Sequence, residues 1–168
     1  MSKIALRPIA DADTANIVSW RNSEAVKKNL IDRNPITEES HRAYLEKYVY
    51  SGQRHQFIIC VNDGEKNQDI GSCFVKNVDM QKSEAEIGLF IGEETARGKG
   101  YAKFIISELL LFCFDELKLD NIILWVLDTN EVARRVYQKI GFVEDIKNEE
   151  GFIRMHLGKT DFRAIENH

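Results

Sequence analysis

The stretch Arg97-Gly98-Lys99-Gly100-Tyr101-Ala102 joins a run typical of a strand, residues 85–91, to a run typical of a helix, residues 104–117. Glycines in such a turn let the backbone approach a ligand closely and adopt φ values that a Cβ atom disfavours. The first turn of a helix has N–H groups without partners and a partial positive charge. The stretch therefore predicts a socket for a phosphate or diphosphate, to which Arg97 and Lys99 add mobile positive charge.

The spacing of this stretch excludes two common phosphate-binding motifs. A Walker-type loop needs G-x-x-x-x-G-K-[ST], and no such pattern follows Gly92. A dinucleotide fingerprint needs G-x-G-x-x-G, but Lys103 stands where its third glycine would be. The pattern that remains is R-x-x-G-x-A, at Arg97, Gly100 and Ala102. On its own, this pattern is equally compatible with a glycine-rich turn that leads into a helix.

A second motif lies about thirty residues further along, between Asn130 and Phe142, with the pattern N-x-x-A-x-x-x-Y-x-K-x-G-F. In order and spacing, the two motifs resemble those with which the GCN5-related N-acetyltransferases (GNAT) hold acetyl-coenzyme A. The resemblance is strong from Ser83 to Val143. It implies an N-acetyltransferase that uses acetyl-CoA as co-substrate and needs no metal.

The hydrophobic pattern and the resemblance agree on an α/β fold with a mixed central sheet of six to seven strands and helices on both faces. We expect one domain over residues 1–168, in which residues 83–143 form the acetyl-CoA-binding core. Residues 1–55 are expected on the acceptor side, and the tail 159–168 is expected to be loose. The continuous apolar run at 121–127 predicts a fully buried central strand.

Composition narrows the partners and the compartment. The formal net charge of the 168-residue chain is −4, which argues against a nucleic acid held by a basic field. The longest apolar stretch, residues 104–114, is too short to cross a bilayer and contains Ser107 and Glu108. The three cysteines lie in apolar runs and are typical of reduced thiols, so we expect a cytoplasmic protein without a membrane partner. The histidines have no metal-ligand spacing with the cysteines.

Acetyl transfer to an amine needs a proton donor for the departing thiolate, and Tyr137 is the candidate. A phenol stays protonated at neutral pH, and Tyr137 lies two helical turns beyond Asn130. The resemblance implies that this tyrosine hydrogen-bonds the coenzyme sulfur. Asn130 is expected both to cap the helix and to contact the coenzyme.

The remaining coenzyme contacts follow from the resemblance, which implies a splayed or bulged strand before the first motif. There the backbone of Leu89, Phe90 and Ile91 is expected to pair with the pantetheine amides. Glycines at positions 88 and 92 fit a bulge or a close approach. Residues 97–102 would bind the diphosphate, and Arg134 would reach a phosphate group.

The general base is the least determined part of the predicted site. Glu86 lies on the strand that leads to the acetyl group and shares a face with Phe90. Its carboxylate is the first candidate to deprotonate the amine, directly or through water. Asp128, at the end of the next strand, and His41, near a helix start, are the alternatives.

The acceptor depends on the N-terminal third, where Trp20-Arg21-Asn22 resembles a W-R-N segment of the RimJ/RimL-like branch. Within that branch, PseH-type enzymes acetylate the 4-amino group of a UDP-linked amino-dideoxy sugar, and others acetylate protein N-termini, polyamines or drugs. Packing alone would also explain the segment. A non-catalytic acetyl-CoA-binding module is the alternative of a different class. We expect a small-molecule or peptide acceptor and a monomer or homodimer.

Overall fold

A seven-stranded mixed sheet organises the computed structural model, which describes residues 2–162. The strands lie in the order β1-β2-β3-β4-β5-β7-β6, and β4 and β5 form the parallel pair. Neighbouring strands elsewhere in the sheet run antiparallel. The predicted mixed sheet with helices on both faces is confirmed. Within residues 2–162, no helix is long and apolar enough to span a bilayer.

The strands and helices have the following bounds. The strands are β1 Lys3–Pro8, β2 His55–Asn62, β3 Asn67–Asp79, β4 Glu84–Ile91, β5 Asn121–Leu127, β6 Val143–Lys147 and β7 Phe152–Gly158. The helices are α1 Thr14–Asn22, α2 Glu24–Lys27, α3 Glu38–Tyr44, α4 Ala102–Leu111 and α5 Glu131–Ile140. Helices α3 and α4 each end in a π-helical turn, Leu45–Val49 and Phe112–Glu116.

Two apolar cores lie on opposite faces of the sheet. The larger core joins α4 and α5 to the sheet, and Tyr137 and Phe142 pack at its edge. The smaller core joins α1 and the π turn after α3 to β2, and Phe90 of β4 packs against it. Because side chains alternate along a strand, Glu86 and Phe90 face the α1–α3 side. Tyr137 therefore approaches the sheet from the other side.

Strands β4 and β5 pair for only three residues and then diverge. Glu86 and Ile123 are the last paired residues, whereas β4 stays paired with β3 as far as Ile91. The later part of β4 thus has no β5 neighbour on one edge. The structure therefore has the splayed strand that the sequence predicts, and the opening begins directly after Glu86.

Caps and a close approach set several local features, among which the predicted cap at Asn130 is confirmed. Thr37 caps α3 by accepting a hydrogen bond from Ser40 N at 3.0 Å. Asn130 caps α5, which Gly141 ends with a φ of 124°. Close approach explains the glycine at position 88, because a Cβ there would lie 2.4 Å from the Phe74 ring.

The structure differs from the sequence predictions in two places. Strand β5 is not fully buried: Ile122, Leu124 and Val126 are buried, but the alternate side chains are only half-buried. Neither apolar core covers that second face of β5. The tail is ordered where the structure describes it, because Phe162 packs on Phe114 with ring centroids 5.4 Å apart. Residues 163–168 lie outside the described residues.

Candidate active site

The loop between β4 and α4 presents unpaired backbone groups to solvent. Gly98 and Gly100 have φ values of 72° and 77°, and a Cβ at either position would meet open space. Within residues 2–162, none of the main-chain N–H groups from Gly98 to Lys103 donates a hydrogen bond to the chain. Consecutive free amides at a helix N-terminus fit an anionic ligand.

Arg97 does not supply the mobile charge that the sequence predicts. Its Nε donates to the carbonyl of Ile91 at 3.1 Å and its Nη2 to that of Gly92 at 2.9 Å. These bonds tie the start of the loop to the end of β4 and fix the guanidinium there. Lys99 is exposed and is the cation of this loop that stays available to an anion.

The free edge of β4 lies beside this loop. Leu89, Phe90 and Ile91 pair with β3 but have no β5 partner. Backbone groups on an unpaired strand edge are a template for another extended chain. The edge therefore fits a linear amide-bearing arm such as pantetheine, although Arg97 already occupies the Ile91 carbonyl.

Tyr137 has the chemical state that a proton donor needs. Its ring packs edge-on against Phe142, with the centroids 5.8 Å apart. Burial raises the pKa of Tyr137 to about 12, so the hydroxyl keeps its proton at neutral pH. Within the described residues this hydroxyl has no hydrogen-bond partner. It is thus free to bond a ligand.

Asn130 and Arg134, the two other predicted residues of the second motif, differ in whether their side chains are free to contact a ligand. Asn130 Oδ1 accepts from Ala133 N at 3.3 Å, which confirms the cap and leaves the amide nitrogen free to donate. Arg134, in contrast, contacts Glu144 through Nε at 2.9 Å and Nη2 at 2.8 Å. Its Nη1 donates to the Asp128 carbonyl at 2.8 Å. Arg134 braces the start of α5 against β6, so we remove it from the predicted phosphate contacts.

Glu86 is buried and held by two neighbours on β3. Asn77 Nδ2 donates to its Oε1 at 3.3 Å, and Lys76 Nζ lies 3.6 Å from its Oε2. The carboxylate lies at the last paired residue of β4, where the opening begins. Its position fits a base that acts on an amine arriving from the α1–α3 side.

The two alternative bases are less suitable. Asp128 Oδ2 lies 2.5 Å from Lys147 Nζ, and that ammonium holds the pKa of Asp128 below its usual value. His41 is only 4% exposed and bonds Thr14 Oγ1 through Nδ1 at 3.2 Å. Its Nε2 is enclosed without a partner among the described residues, and burial lowers the pKa of the ring. Both side chains are therefore weaker candidates for the base than Glu86.

Two of the three residues in the W-R-N segment have structural roles. Trp20 packs on Gly92 and donates from Nε1 to Glu93 at 2.8 Å, which joins α1 to the end of β4. Asn22 exchanges two hydrogen bonds with the backbone of Ile36. The Arg21 guanidinium donates no hydrogen bond within residues 2–162, so it is the side chain of the segment that stays available to a ligand.

The structure adds residues that the sequence analysis did not identify. Lys76 and Asn77 contact Glu86 because a register shift in β3 turns two consecutive side chains toward the same carboxylate. Trp125 lies half-buried on the uncovered face of β5. The continuous apolar run of β5 gave no signal for Trp125, and nothing in the linear sequence predicts the shift in β3.

The candidate site thus combines the free amides of residues 98–103, the open edge of β4, the phenol of Tyr137 and the buried carboxylate of Glu86. The family model for the acetyltransferase (GNAT) domain matches residues 3–143. The chain belongs to the GNAT acetyltransferase family. The match includes both motifs and the W-R-N segment.

Three relatives indicate the range of this family. The chain is 33% identical to the putative ribosomal N-acetyltransferase YdaF of Bacillus subtilis over 81 residues, 48% of this chain but only 44% of the relative. It is 26% identical to the spermidine N(1)-acetyltransferase of Vibrio cholerae, over 86% of this chain and 81% of the relative. It is 22% identical to the acetyltransferase PseH of Campylobacter jejuni, over 89% of this chain and 88% of the relative.

Solved structures support the fold. The spermidine N-acetyltransferase of Vibrio cholerae, solved in complex with CoA and spermine, superposes with a TM-score of 0.85. The superposition covers 95% of this chain and 97% of that one at 22% identity. At this identity the likeness extends to the fold, and the acceptor has to be argued from this chain's own residues.

Proposed function

We propose that this chain transfers the acetyl group of acetyl-CoA directly to a primary amine, and that its preferred acceptor is the 4-amino group of a UDP-linked amino-dideoxy sugar. The observation that carries the proposal is the opening between β4 and β5, which leads into the partnerless amides of residues 98–103. A diphosphate on those amides would direct an extended arm along the free edge of β4. We retain the proposed contacts of residues 89–91 and 98–102 and of Asn130, and we leave out Arg97, whose side chain and N–H already bond the chain.

The chemistry we propose uses both faces of the sheet. When bound, acetyl-CoA supplies a thioester whose C–S bond breaks as the new C–N bond forms. Glu86, on the α1–α3 face, accepts the proton of the incoming amine. Tyr137, on the α4–α5 face, donates its proton to the departing sulfur. The acceptor and the coenzyme thus approach the opening from opposite sides, which holds the reacting groups in line.

The acceptor proposal rests on the charges of the N-terminal part. A sugar nucleotide carries a diphosphate, which needs cations that the protein does not already neutralise. The Arg21 guanidinium donates no hydrogen bond within the described residues, and Lys27, Lys28 and Arg33, whose Nε donates to the Leu30 carbonyl at 3.2 Å, follow it along the chain. This supply of cations, together with the resemblance of the W-R-N segment, favours an anionic acceptor. We propose that residues 1–55 supply the acceptor side.

A polyamine is the second candidate acceptor. One relative is named a spermidine N(1)-acetyltransferase and aligns over most of both chains. The formal net charge of −4 also favours a cationic substrate over a distance. Acetylation of a protein N-terminus has weaker support, because the relative with a ribosomal name aligns over only 44% of its length.

An acceptor screen tests the proposal. The wild-type chain would be mixed with acetyl-CoA and, separately, a UDP-linked 4-amino sugar, spermidine or an N-terminal peptide, and the free thiol measured. We expect the highest kcat/KM with the sugar nucleotide. A higher value with spermidine would favour the second candidate. Acetyl-CoA binding without thiol release for any acceptor would favour a non-catalytic module. Cytoplasmic location and a monomeric or homodimeric state stay predictions.

A further inference from the structure

We propose that Lys76 determines the acceptor charge that this enzyme accepts, by holding a fixed ammonium beside the position of the reacting amine. This inference rests on the proposed function, because it takes Glu86 as the group that meets the acceptor. The consequence is discrimination against acceptors that carry a second positive charge near the reacting amine. It therefore favours neutral or anionic amines over polyamines.

The strand register places Lys76 at the opening. Lys76 pairs with Glu86, Phe74 pairs with Gly88, and Ser72 pairs with Phe90. Side chains directly across an antiparallel pair lie on the same face. Lys76 therefore shares the α1–α3 face with Glu86, at the point where β5 leaves β4. An amine that approaches Glu86 from that side meets the Lys76 ammonium as well.

Contacts fix this ammonium in place. Lys76 Nζ lies 3.6 Å from Glu86 Oε2 and 5.2 Å from the centroid of the Phe74 ring. An ion pair and a cation–π contact together restrain a side chain that is 26% exposed. Lysines on protein surfaces are usually solvated and mobile, whereas Lys76 is held by the Glu86 carboxylate and by the Phe74 ring.

The backbone of β3 is distorted at this position. The register shifts between Lys76 and Asp79, and Asn77 has a φ of 54°, in the left-handed region. In a regular strand, Lys76 and Asn77 would point to opposite faces. Here both contact the Glu86 carboxylate, one at each oxygen. Bulges that re-aim side chains are frequent beside active sites.

The charge balance follows from these contacts. Lys76 already neutralises the single charge of Glu86, so the pair offers no net negative charge to a polycation. For a second ammonium on the acceptor, repulsion by Lys76 cancels the attraction that Glu86 alone would exert in this partly water-excluded space. An acceptor with one ammonium needs only to give up its proton to Glu86.

A matched pair of acceptors tests this inference. Butylamine and 1,4-diaminobutane have the same chain length and differ by one ammonium. For the wild type and for Lys76→Met, kcat/KM would be measured with each by thiol release. We expect Lys76→Met to shift the ratio toward the diamine by about tenfold. Lys76→Arg keeps the charge and should keep the wild-type ratio, and acetyl-CoA affinity reports that both variants are folded.

The outcomes separate this inference from the proposed function. An unchanged ratio in an active Lys76→Met variant would overturn the role of Lys76 and leave the proposed function intact. If Lys76→Met is inactive, the ratio is taken from Lys76→Gln, which removes the same charge with a polar side chain. Absence of thiol release from the wild type with every amine tested, the UDP-linked 4-amino sugar included, would overturn the proposed function and this inference with it.

Discussion

The coenzyme-binding half and the N-terminal half of this protein use different parts of the chain for their contacts. Between residues 83 and 143, the groups available to a ligand are largely backbone groups, namely the free amides of the glycine loop and the open edge of β4. In residues 1–55, the groups that remain available are side chains such as Arg21. Backbone geometry depends on a few glycines and helix caps, and it is therefore recognisable as a pattern in the sequence.

This difference explains why the coenzyme is easier to identify than the acceptor. A strand, a glycine turn and a helix start create the same socket whatever side chains surround them. An acceptor site, in contrast, depends on which side chains are left over after packing. Trp20 and Asn22 belong to a recognisable segment, yet both are used to hold α1 against β4 and the loop before α3.

The largest expected effect is a loss of acetyl-CoA binding that leaves the N-terminal half unchanged. Gly100→Val should abolish measurable acetyl-CoA binding, because a β-branched residue at a φ of 77° distorts the loop and fills the space over its amides. Gly52→Val is the matched control, since Gly52 has a φ of 86° and equally open surroundings but lies in the N-terminal half. Calorimetric titration with acetyl-CoA would compare them. Native affinity in Gly100→Val would remove the loop from the site.

A second change separates chemistry from binding within the coenzyme half. Tyr137→Phe should lower kcat on the order of a hundredfold, because it removes a general acid, while acetyl-CoA affinity changes little. Since the pKa of Tyr137 is raised to about 12, no loss of activity below that pH should come from its ionisation. Tyr50→Phe, which removes a hydroxyl bonded to Asp11, is the control. Unchanged kcat in Tyr137→Phe would exclude Tyr137 as the proton donor.

The third change lies where the two halves meet. Glu86→Gln should lower kcat by about ten- to a hundredfold and leave acetyl-CoA affinity near the wild-type value, because the amide keeps the shape but cannot take a proton. Glu84→Gln, on the same face of the same strand, is the control. Steady-state rates with the best acceptor would show the difference. Equal activity in the two variants would return the choice of base to Asp128 and His41.

The smallest expected effect concerns the stability of the N-terminal half. Burial lowers the pKa of His41 below its unfolded value of about 6.5, so the unfolded chain binds this proton first as the pH falls. Stability should therefore decrease with acidification below that value, and the contribution of His41 can reach at most about 1.4 kcal/mol per pH unit. Urea unfolding of the wild type and His41→Gln at pH 7.5 and 5.5 measures this. An equal decrease in both would contradict it.

Sequence reasoning predicts the fold and the backbone part of the site well. Strand β5 was predicted at its observed bounds and β4 to within one residue, and the cap at Asn130 has the expected hydrogen bond. The family resemblance implied a splayed or bulged strand before the first motif, and the register now places the start of the splay, between β4 and β5, after Glu86. These features depend on local residue patterns or on backbone conformations that only certain residues adopt.

The side-chain part was less predictable for a physical reason. A long cation binds whichever carbonyl or carboxylate the tertiary fold brings near it, so the partners of Arg97 and Arg134 could not be read from sequence spacing. The same holds for Lys76 and Asn77, whose contacts with Glu86 depend on a register shift between two strands. The continuous apolar run likewise predicted a fully buried β5, because such a run does not reveal that one face of the strand stays uncovered.

A crystal structure of this protein with bound coenzyme A tests the central claim most directly. We expect diphosphate oxygens within hydrogen-bond distance of the amides of Gly98 to Lys103, with the pantetheine arm in the opening between β4 and β5 and its sulfur at the Tyr137 hydroxyl. A diphosphate bound elsewhere, or a Tyr137 hydroxyl directed away from the sulfur, would contradict it.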